Sequence, residues 1–391
     1  MTERRPLRLT LAQGAFFPVP AVLGGAVEKM WYAYSRELAA RGHTVTHVSR
    51  AYGEQPLEER VDGVHRRRLP GADACLNPVR YKWRDLRYSL RVRRWLNTQP
   101  RADLVITHTF WLPMLLNPRR HGAIYVHAAR FPKGQYRWYG QAARVQAVSQ
   151  VVADAIAAER PELKPRLSVV SNYLSHATAE KCVPRVYRSP PVIGYAGRVH
   201  PEKGLEVLFE AVATLPEPRP LLRIIGPWER MHGGGGERYH GFLRGHAEHL
   251  GLQVEWTGGI FEEASYLRVL GDLDLFVYPS QAVKGEAFGV APLEAMGQGV
   301  PTVVSSLPCF RDFITDGETG LVFPWDGPDR VAQLARQIQR LLDDRGLYAR
   351  LSRAGWVKAQ EFLLPAIVSR YEEDFYATLA TVDAHGRPLS G

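Results

Sequence analysis

Cysteine is scarce in this chain. Three residues in 391, Cys75, Cys182 and Cys309, lie far apart. That spacing gives neither a disulfide framework nor a cysteine metal site, and it fits a reducing compartment. No run of about 18 apolar residues occurs, so no segment is expected to span a bilayer. The opening Met-Thr-Glu-Arg-Arg-Pro leads straight into an apolar strand, without the pattern of a signal peptide. No repeat of solenoid period is found. The one low-complexity stretch is Gly233–Gly236. No Lys-Ser/Thr follows it, so it reads as a mobile loop rather than a phosphate cradle. These absences exclude a disulfide-stapled domain, a repeat array and a membrane-spanning chain. They leave a cytoplasmic protein as the expectation.

What is present is globular: 45% apolar and 23% charged residues, over a length typical of two domains. The charge is uneven. Residues 1–188 carry 31 Lys+Arg against 14 Asp+Glu (+17), and the remaining residues carry 19 against 26 (−7). A basic half points to an anionic partner. Its densest part, Arg80 to Trp95, interleaves Arg80, Lys82, Arg84, Arg87, Arg91 and Arg94 with Tyr81, Trp83 and Tyr88. Two readings stand side by side. One is a peripheral contact of Arg80, Lys82, Trp83, Arg84, Arg87, Arg91 and Arg94 with an anionic membrane surface or the acceptor. The other is a plain surface helix whose Leu86, Leu90 and Val92 face the core. No nucleic-acid motif is recognised, so nucleic acid is not an expected partner.

Strand-like apolar runs alternate with helical stretches along most of the chain, which is the pattern of α/β, doubly wound parallel sheets. The rhythm breaks at the polar, proline-containing stretch Cys182–Pro191 and restarts at Val192-Ile-Gly-Tyr-Ala196. The expected division is therefore 1–187 and 188–361, with ligands at the C-terminal strand ends in a cleft between the two domains. A last helix, from about residue 366 to 380, carries Ile367, Tyr371, Phe375 and Leu379 four apart, a stripe that needs a partner. Residues after His385 read as a frayed tail.

The most informative segment is Glu286-Ala-Phe-Gly-Val-Ala-Pro-Leu-Glu294. The apolar strand ending at Tyr278-Pro279 precedes it. Leu293, Ala295 and Met296 continue at helical spacing, and Pro292 is tolerable only in a first turn. Strand, loop and helix N-terminus offer backbone N–H groups and a dipole end to an anion. Two carboxylates beside them suit hydroxyls. Together these describe a nucleotide sugar, whereas two solvated glutamates on a helix are the bland alternative. At the start of the second half, Gly197-Arg198 leaves a strand and Lys203-Gly204 precedes a helix. These two cations can clamp a diphosphate or can simply be solvated. Gly24-Gly25 opens the first helix. His127 and His108 each follow a strand, and a satisfied core histidine is the ordinary reading of both. Asp272 and Asp274 read as strand-entry residues rather than metal ligands.

These segments together resemble the retaining GT-B glycosyltransferases of "group one", glycosyltransferase family four. Gly197-Arg198, Lys203-Gly204, Ser280 leading to Glu286-Ala-Phe-Gly289, Glu294-Ala-Met, Gly299-Val-Pro301 and Gly317-Glu-Thr-Gly-Leu321 carry the resemblance. It implies two Rossmann-like domains, with a C-terminal helix, 362–381, packing back on the first. It implies that Arg198 and Lys203, beside Gly197, hold the donor diphosphate, and that Glu294 takes the ribose hydroxyls. Glu286 and the backbone of Ala287, Phe288, Gly289 and Val290 would hold the donor sugar and phosphate. Ile260 would meet the base, Gly25 would close on the diphosphate with Gly24 beside it in the donor site, and His127 would lie near the donor sugar. With Arg198, Lys203, Glu286 and His127 as the catalytic set, no divalent metal and no cofactor is expected. The expected partners are a nucleotide sugar, UDP-linked before GDP-linked, and a saccharide or lipid-linked saccharide acceptor. The chain departs from the short form of the motif between Ser280 and Glu286, where the insertion Gln281-Ala-Val-Lys-Gly285 is expected to alter donor or acceptor contacts. A transferase for a small soluble acceptor, a sugar-nucleotide epimerase and a non-catalytic partner of another transferase are the rival readings.

Overall fold

The unbroken apolar runs form strands buried on both faces, as central strands of a parallel sheet require. The computed structural model describes residues 4–75, 77–174 and 186–389. Two units are distinguished by their internal packing: unit 1 is Met1–Tyr173 with Leu364–Gly391, and unit 2 is Leu174–Leu363. The linker residues Cys182 to Arg185 lie outside the described residues.

Unit 1 holds β1 (Arg8–Ala12), β2 (Thr44–Arg50), β3 (Glu58–Val61), β4 (Val64–Leu69), β5 (Leu104–Thr107), β6 (Ala123–Ala128), β7 (Ala142–Ala147) and β8 (Leu167–Val169). Their order is β3-β4-β2-β1-β5-β6-β7-β8, and every pairing is parallel except β3 with β4. That antiparallel hairpin is absent from the sequence reading. Its turn is Asp62-Gly63, with φ of 53° and 74°, the two-residue geometry that an Asp-Gly pair favours.

The last helix, Leu364–Ala380, belongs to unit 1 and buries Ile367, Tyr371 and Phe375. Tyr371 meets Trp31 and Tyr34 of the helix Ala26–Ala40 at ring distances of 5.2 and 5.0 Å. Such aromatic pairs each add about 0.5–1.5 kcal/mol beyond burial. Polar ties join the last helix to β6 and β7 as well. Tyr125 donates to Asp374 at 2.6 Å, and Arg144 pairs with the same carboxylate at 3.1 Å. The chain after His385 is not frayed through Leu389. The Asp383 carboxylate accepts from the backbone N–H of His385 and Arg387, and Leu389 N–H donates back to the carbonyl of Thr381.

Unit 2 holds β9 (Val192–Ala196), β10 (Leu221–Ile225), β11 (Val254–Gly258), β12 (Leu275–Tyr278), β13 (Thr302–Ser305) and β14 (Leu321–Phe323). All are parallel, in the order β11-β10-β9-β12-β13-β14. The order reverses between β9 and β12. That switch point is where open α/β sheets hold ligands. Asp272 and Asp274, at the entry to β12, pair with Arg188, and Asp272 also pairs with Arg223.

Candidate functional site

At the switch point the C-terminal ends of β9 and β12 bring Lys203 and Glu286 together. Lys203 Nζ donates to Glu286 Oε2 at 2.6 Å, and both side chains are buried. Tyr278 and Ser280 donate their hydroxyls to the same oxygen at 3.1 and 3.2 Å. Burial, with the Glu286 charge adding to it, pushes the Tyr278 phenol well above its usual range, so it stays a donor. One carboxylate oxygen thus collects three donors. All three fall on Oε2, so Oε1 is the oxygen that can accept from a ligand.

Gly289 caps the helix Val290–Gly297 with φ of 77°. A Cβ there would lie 2.4 Å from the Phe310 ring, so glycine is required both for the turn and for the close approach. The N–H groups of the first turn are those a helix leaves unpaired, a ready anion contact. Pro292 sits in that turn, as its missing N–H demands. Phe288, buried, packs against Phe313 and Phe362 and anchors the loop from below. Ala287 and Val290 flank it, half-buried.

Arg198 follows Gly197 at the end of β9, half-buried. Its guanidinium donates to Glu202 Oε1 at 2.8 Å and to the Gly233 carbonyl at 2.7 Å. The Gly233–Gly236 run, expected to be a mobile loop, is therefore held in place. Gly234, Gly235 and Gly236 donate their N–H groups to the carbonyls of Glu229, Val199 and Trp228. Glu294 lies in the second turn of its helix, and Tyr266 donates to its Oε2 at 2.7 Å. Ile260 follows β11, half-buried, two residues beyond Gly258. Among the described residues no group of three or more His, Cys, Asp or Glu is arranged to hold a metal.

Gly24, Gly25 and His127 belong to unit 1. Gly25 caps the helix Ala26–Ala40 with φ of 103°. A Cβ there would lie 2.4 Å from Glu28 Oε2. Glu28 is buried, its pKa raised by that burial, and it stands 3.6 Å from His108. His127 is more constrained. Both Nε2 hydrogens of Gln146 go to the carbonyls of Ala147 and Val170, so Gln146 Oε1 must accept from His127 Nδ1 at 2.6 Å. His127 is then neutral with a bare Nε2, which has no partner among the described residues. Burial lowers its pKa to about 4. It is a half-satisfied histidine, not the fully satisfied one that is the ordinary reading.

The basic stretch is the helix Pro78–Leu96, capped by Asn77. Arg80, Lys82, Trp83, Arg87 and Arg94 are exposed. Arg84 and Arg91 are half-buried and donate to the carbonyls of Asp73 and Pro70. The core face differs from the expected Leu86, Leu90 and Val92. Leu90 is 44% exposed, and Asp85, Tyr88, Ser89, Val92 and Leu96 are buried instead. Of the site neighbours, Glu202, Tyr266, Tyr278 and Glu28 were missed. For Tyr278 the signal was its place at a strand end just before Pro279. The others had no local signal.

Two family models match the chain. One, described as "Glycosyl transferases group 1", covers residues 179–356, and the other, "Glycosyl transferase 4-like domain", covers residues 25–173. The phosphatidyl-myo-inositol mannosyltransferase of Mycobacterium tuberculosis (strain CDC 1551 / Oshkosh) is 31% identical over 172 residues, 43% of this chain and 42% of that protein. The D-inositol 3-phosphate glycosyltransferase of Streptomyces avermitilis is 32% identical over 174 residues, 43% of this chain and 36% of that protein. The matches thus span less than half of these relatives' length. Among solved structures, sucrose-phosphate synthase from Thermosynechococcus elongatus superposes with a TM-score of 0.72 at 19% identity, over 96% of this chain and 100% of that one. HepE of Anabaena in complex with UDP gives 0.70 at 17% identity, over 95% and 100%. At such identities the likeness shows the fold, that of the GT-B glycosyltransferases.

Proposed function

The chain belongs to the group 1 glycosyl transferases, and on that premise we propose that it moves a hexose-type sugar from a nucleoside-diphosphate sugar to a saccharide or lipid-linked saccharide. UDP-sugars come first and GDP-sugars second. The observation that carries the reading is the cluster at the switch point of unit 2. Two cations, two carboxylates and a glycine-capped helix N-terminus meet at adjacent strand ends. Arg198 and Lys203 take the diphosphate, Glu294 the ribose, Ile260 the base, and Glu286 Oε1 with the amides from Ala287 to Val290 the sugar and phosphate. Gly24, Gly25 and His127 lie in unit 1, where the bare Nε2 of His127 can accept from a hydroxyl.

The chemistry follows from charge. As the sugar C1–O bond breaks, negative charge gathers on the leaving diphosphate. Arg198, Lys203 and the helix N-terminus stabilise it where it forms, which is the work a divalent cation does elsewhere. The acceptor hydroxyl attacks C1 from the same face. Its proton passes to the departing phosphate oxygen, and the anomeric configuration is retained. Glu286 is tied to Lys203, Tyr278 and Ser280, which suits a binding role better than a nucleophilic one.

The helix Pro78–Leu96 is read as a peripheral contact with an anionic membrane, in keeping with a cytoplasmic protein that meets a lipid-linked acceptor. No helix among the described residues is long and apolar enough to cross a membrane. The lipid named in the mycobacterial relative supports that choice, and the small phosphorylated cyclitol named in the Streptomyces relative favours a soluble acceptor as the second reading.

The test is turnover of a UDP-, GDP- and ADP-sugar panel in EDTA, followed by NMR of the anomeric proton. Release of the nucleotide with a retained anomer, at least 100-fold slower in Glu286→Gln, is expected by order of magnitude. An inverted product, or turnover that needs added metal, contradicts the mechanism. No turnover of any donor favours the non-catalytic partner.

A further inference from the structure

The tetraglycine run and Glu202 are left without a part in that reading, yet both touch Arg198. We propose that they form the positioning device of Arg198, an inference that rests on the diphosphate role given to that residue. Arginine recognises phosphate as a planar fork, so the orientation of its guanidinium decides how well it binds. Arg198 is long and 41% exposed along its side chain, and left to itself it samples many rotamers. Here it is held from two sides. Glu202 Oε1 takes Nη2 at 2.8 Å, and the Gly233 carbonyl takes Nη1 at 2.7 Å. With five N–H groups, arginine keeps three for a ligand.

The glycines are needed for this grip. A Cβ on Gly234 would lie 2.2 Å from the Trp228 carbonyl oxygen, a main-chain atom that cannot step aside cheaply. Gly233 and Gly236 have φ of 81° and 85°, where side chains are strained. The main chain beside Arg198 is pinned as well. Gly235 N–H donates to the Val199 carbonyl, and the Tyr195 hydroxyl donates to that of Arg198. The run is thus a close-packed bracket, not a spacer.

Glu202 has a second contact. Its carbonyl accepts from Gln281 N–H at 2.9 Å, at the first residue of the inserted segment that ends in Gly285. Gly285 passes close enough that a Cβ would lie 3.3 Å from Glu202 Oε2. One residue therefore touches the arginine of the diphosphate site and the segment that leads to Glu286. The insertion that departs from the short motif is tied to the arginine through Glu202.

Calorimetry on the full chain tests this, using whichever of UDP, GDP and ADP binds the wild type most tightly. Glu202→Ala is expected to weaken that nucleotide about tenfold. Glu202→Gln keeps an acceptor oxygen and should stay within about threefold of wild type. In an Arg198→Ala background, Glu202→Ala should cost nothing further, because the residue acts through the arginine. Gly234→Ala should follow Glu202→Ala, and if it does not fold, the Glu202 variants decide. Wild-type or tighter binding by Glu202→Ala overturns the proposal, as does an undiminished loss in the Arg198→Ala background. A different failure strikes the underlying reading and takes this inference with it: no nucleotide binds, or Arg198→Ala binds like wild type.

Discussion

The polar side chains of the proposed nucleotide site in unit 2 and the buried histidines of unit 1 are met in different ways. In unit 2 the charged groups of the site each have a partner: Lys203 with Glu286, Arg198 with Glu202, Glu294 with the Tyr266 hydroxyl. In unit 1, Gln13 Oε1, His47 Nε2 and His127 Nε2 are buried without a partner among the described residues. A paired cluster is preorganised, and its cost appears when one member is removed. A half-satisfied histidine stays neutral, and its cost appears when protons become plentiful. Unit 2 should therefore be sensitive to mutation at its cluster, and unit 1 to acid.

The largest expected effect is on the buried pair. Lys203→Ala leaves Glu286 charged and buried, and should destabilise by about 3–5 kcal/mol in urea unfolding. The double variant Lys203→Met with Glu286→Leu should lose much less, since no charge is stranded. Equal losses would show that the pair is not electrostatically coupled.

Acid comes next. Burial first, then Arg66 and Arg68, lower the His47 pKa to about 3, and burial lowers that of His127 to about 4. Both folded values lie below the unfolded one, so the unfolded chain binds protons more readily. Their contribution is present above pH about 6.5 and is lost as pH falls towards 4 and 3. Asp85 opposes them. Burial raises its pKa to about 6, so its cost is relieved over the same range. His108, lowered by burial to about 3, acts with the two histidines, and Glu28, raised by burial, acts with Asp85. The histidines outweigh the carboxyls, and stability should fall by an amount on the order of a few kcal/mol between pH 7 and 4.5. His47→Gln should flatten that slope in thermal melts. A slope unchanged in His47→Gln would remove the contrast between the units.

The smallest effect on stability belongs to the basic helix. Reversing Lys82, Arg87 and Arg94 to Glu should change stability by about 0.5 kcal/mol or less per residue, because these side chains are exposed. The same variant should lose flotation with anionic vesicles. Undiminished vesicle binding, or none in the wild type, would end the membrane reading.

The sequence showed most clearly what is local. Arg198, Lys203, Glu286 and Glu294 each sit just past an apolar run or just inside a helix start, so spacing alone set them at strand ends. What it hid is long-range or inverted. Lys203, Tyr278 and Ser280 converge on one oxygen of Glu286 across 83 residues at the widest. No local pattern encodes that. In β4 the buried face carries Arg66 and Arg68, paired with Glu59, beside Val64, and His65 and Arg67 lie on the other face, so no alternation of apolar and polar residues marks the buried side. Leu90 points outward while Asp85 is buried, because Asp85 accepts from the backbone N–H groups of Phe110 and Trp111. Hydropathy periodicity cannot see such partners.

The central claim is that unit 2 is a nucleotide site built on Arg198 and Glu294. The most direct measurement is thermal melting of the full chain in EDTA with UDP, GDP and ADP, repeated on Arg198→Ala and Glu294→Ala. One nucleotide should raise the melting temperature, and the rise should vanish in both variants. No rise with any nucleotide, or an equal rise in the variants, would contradict it.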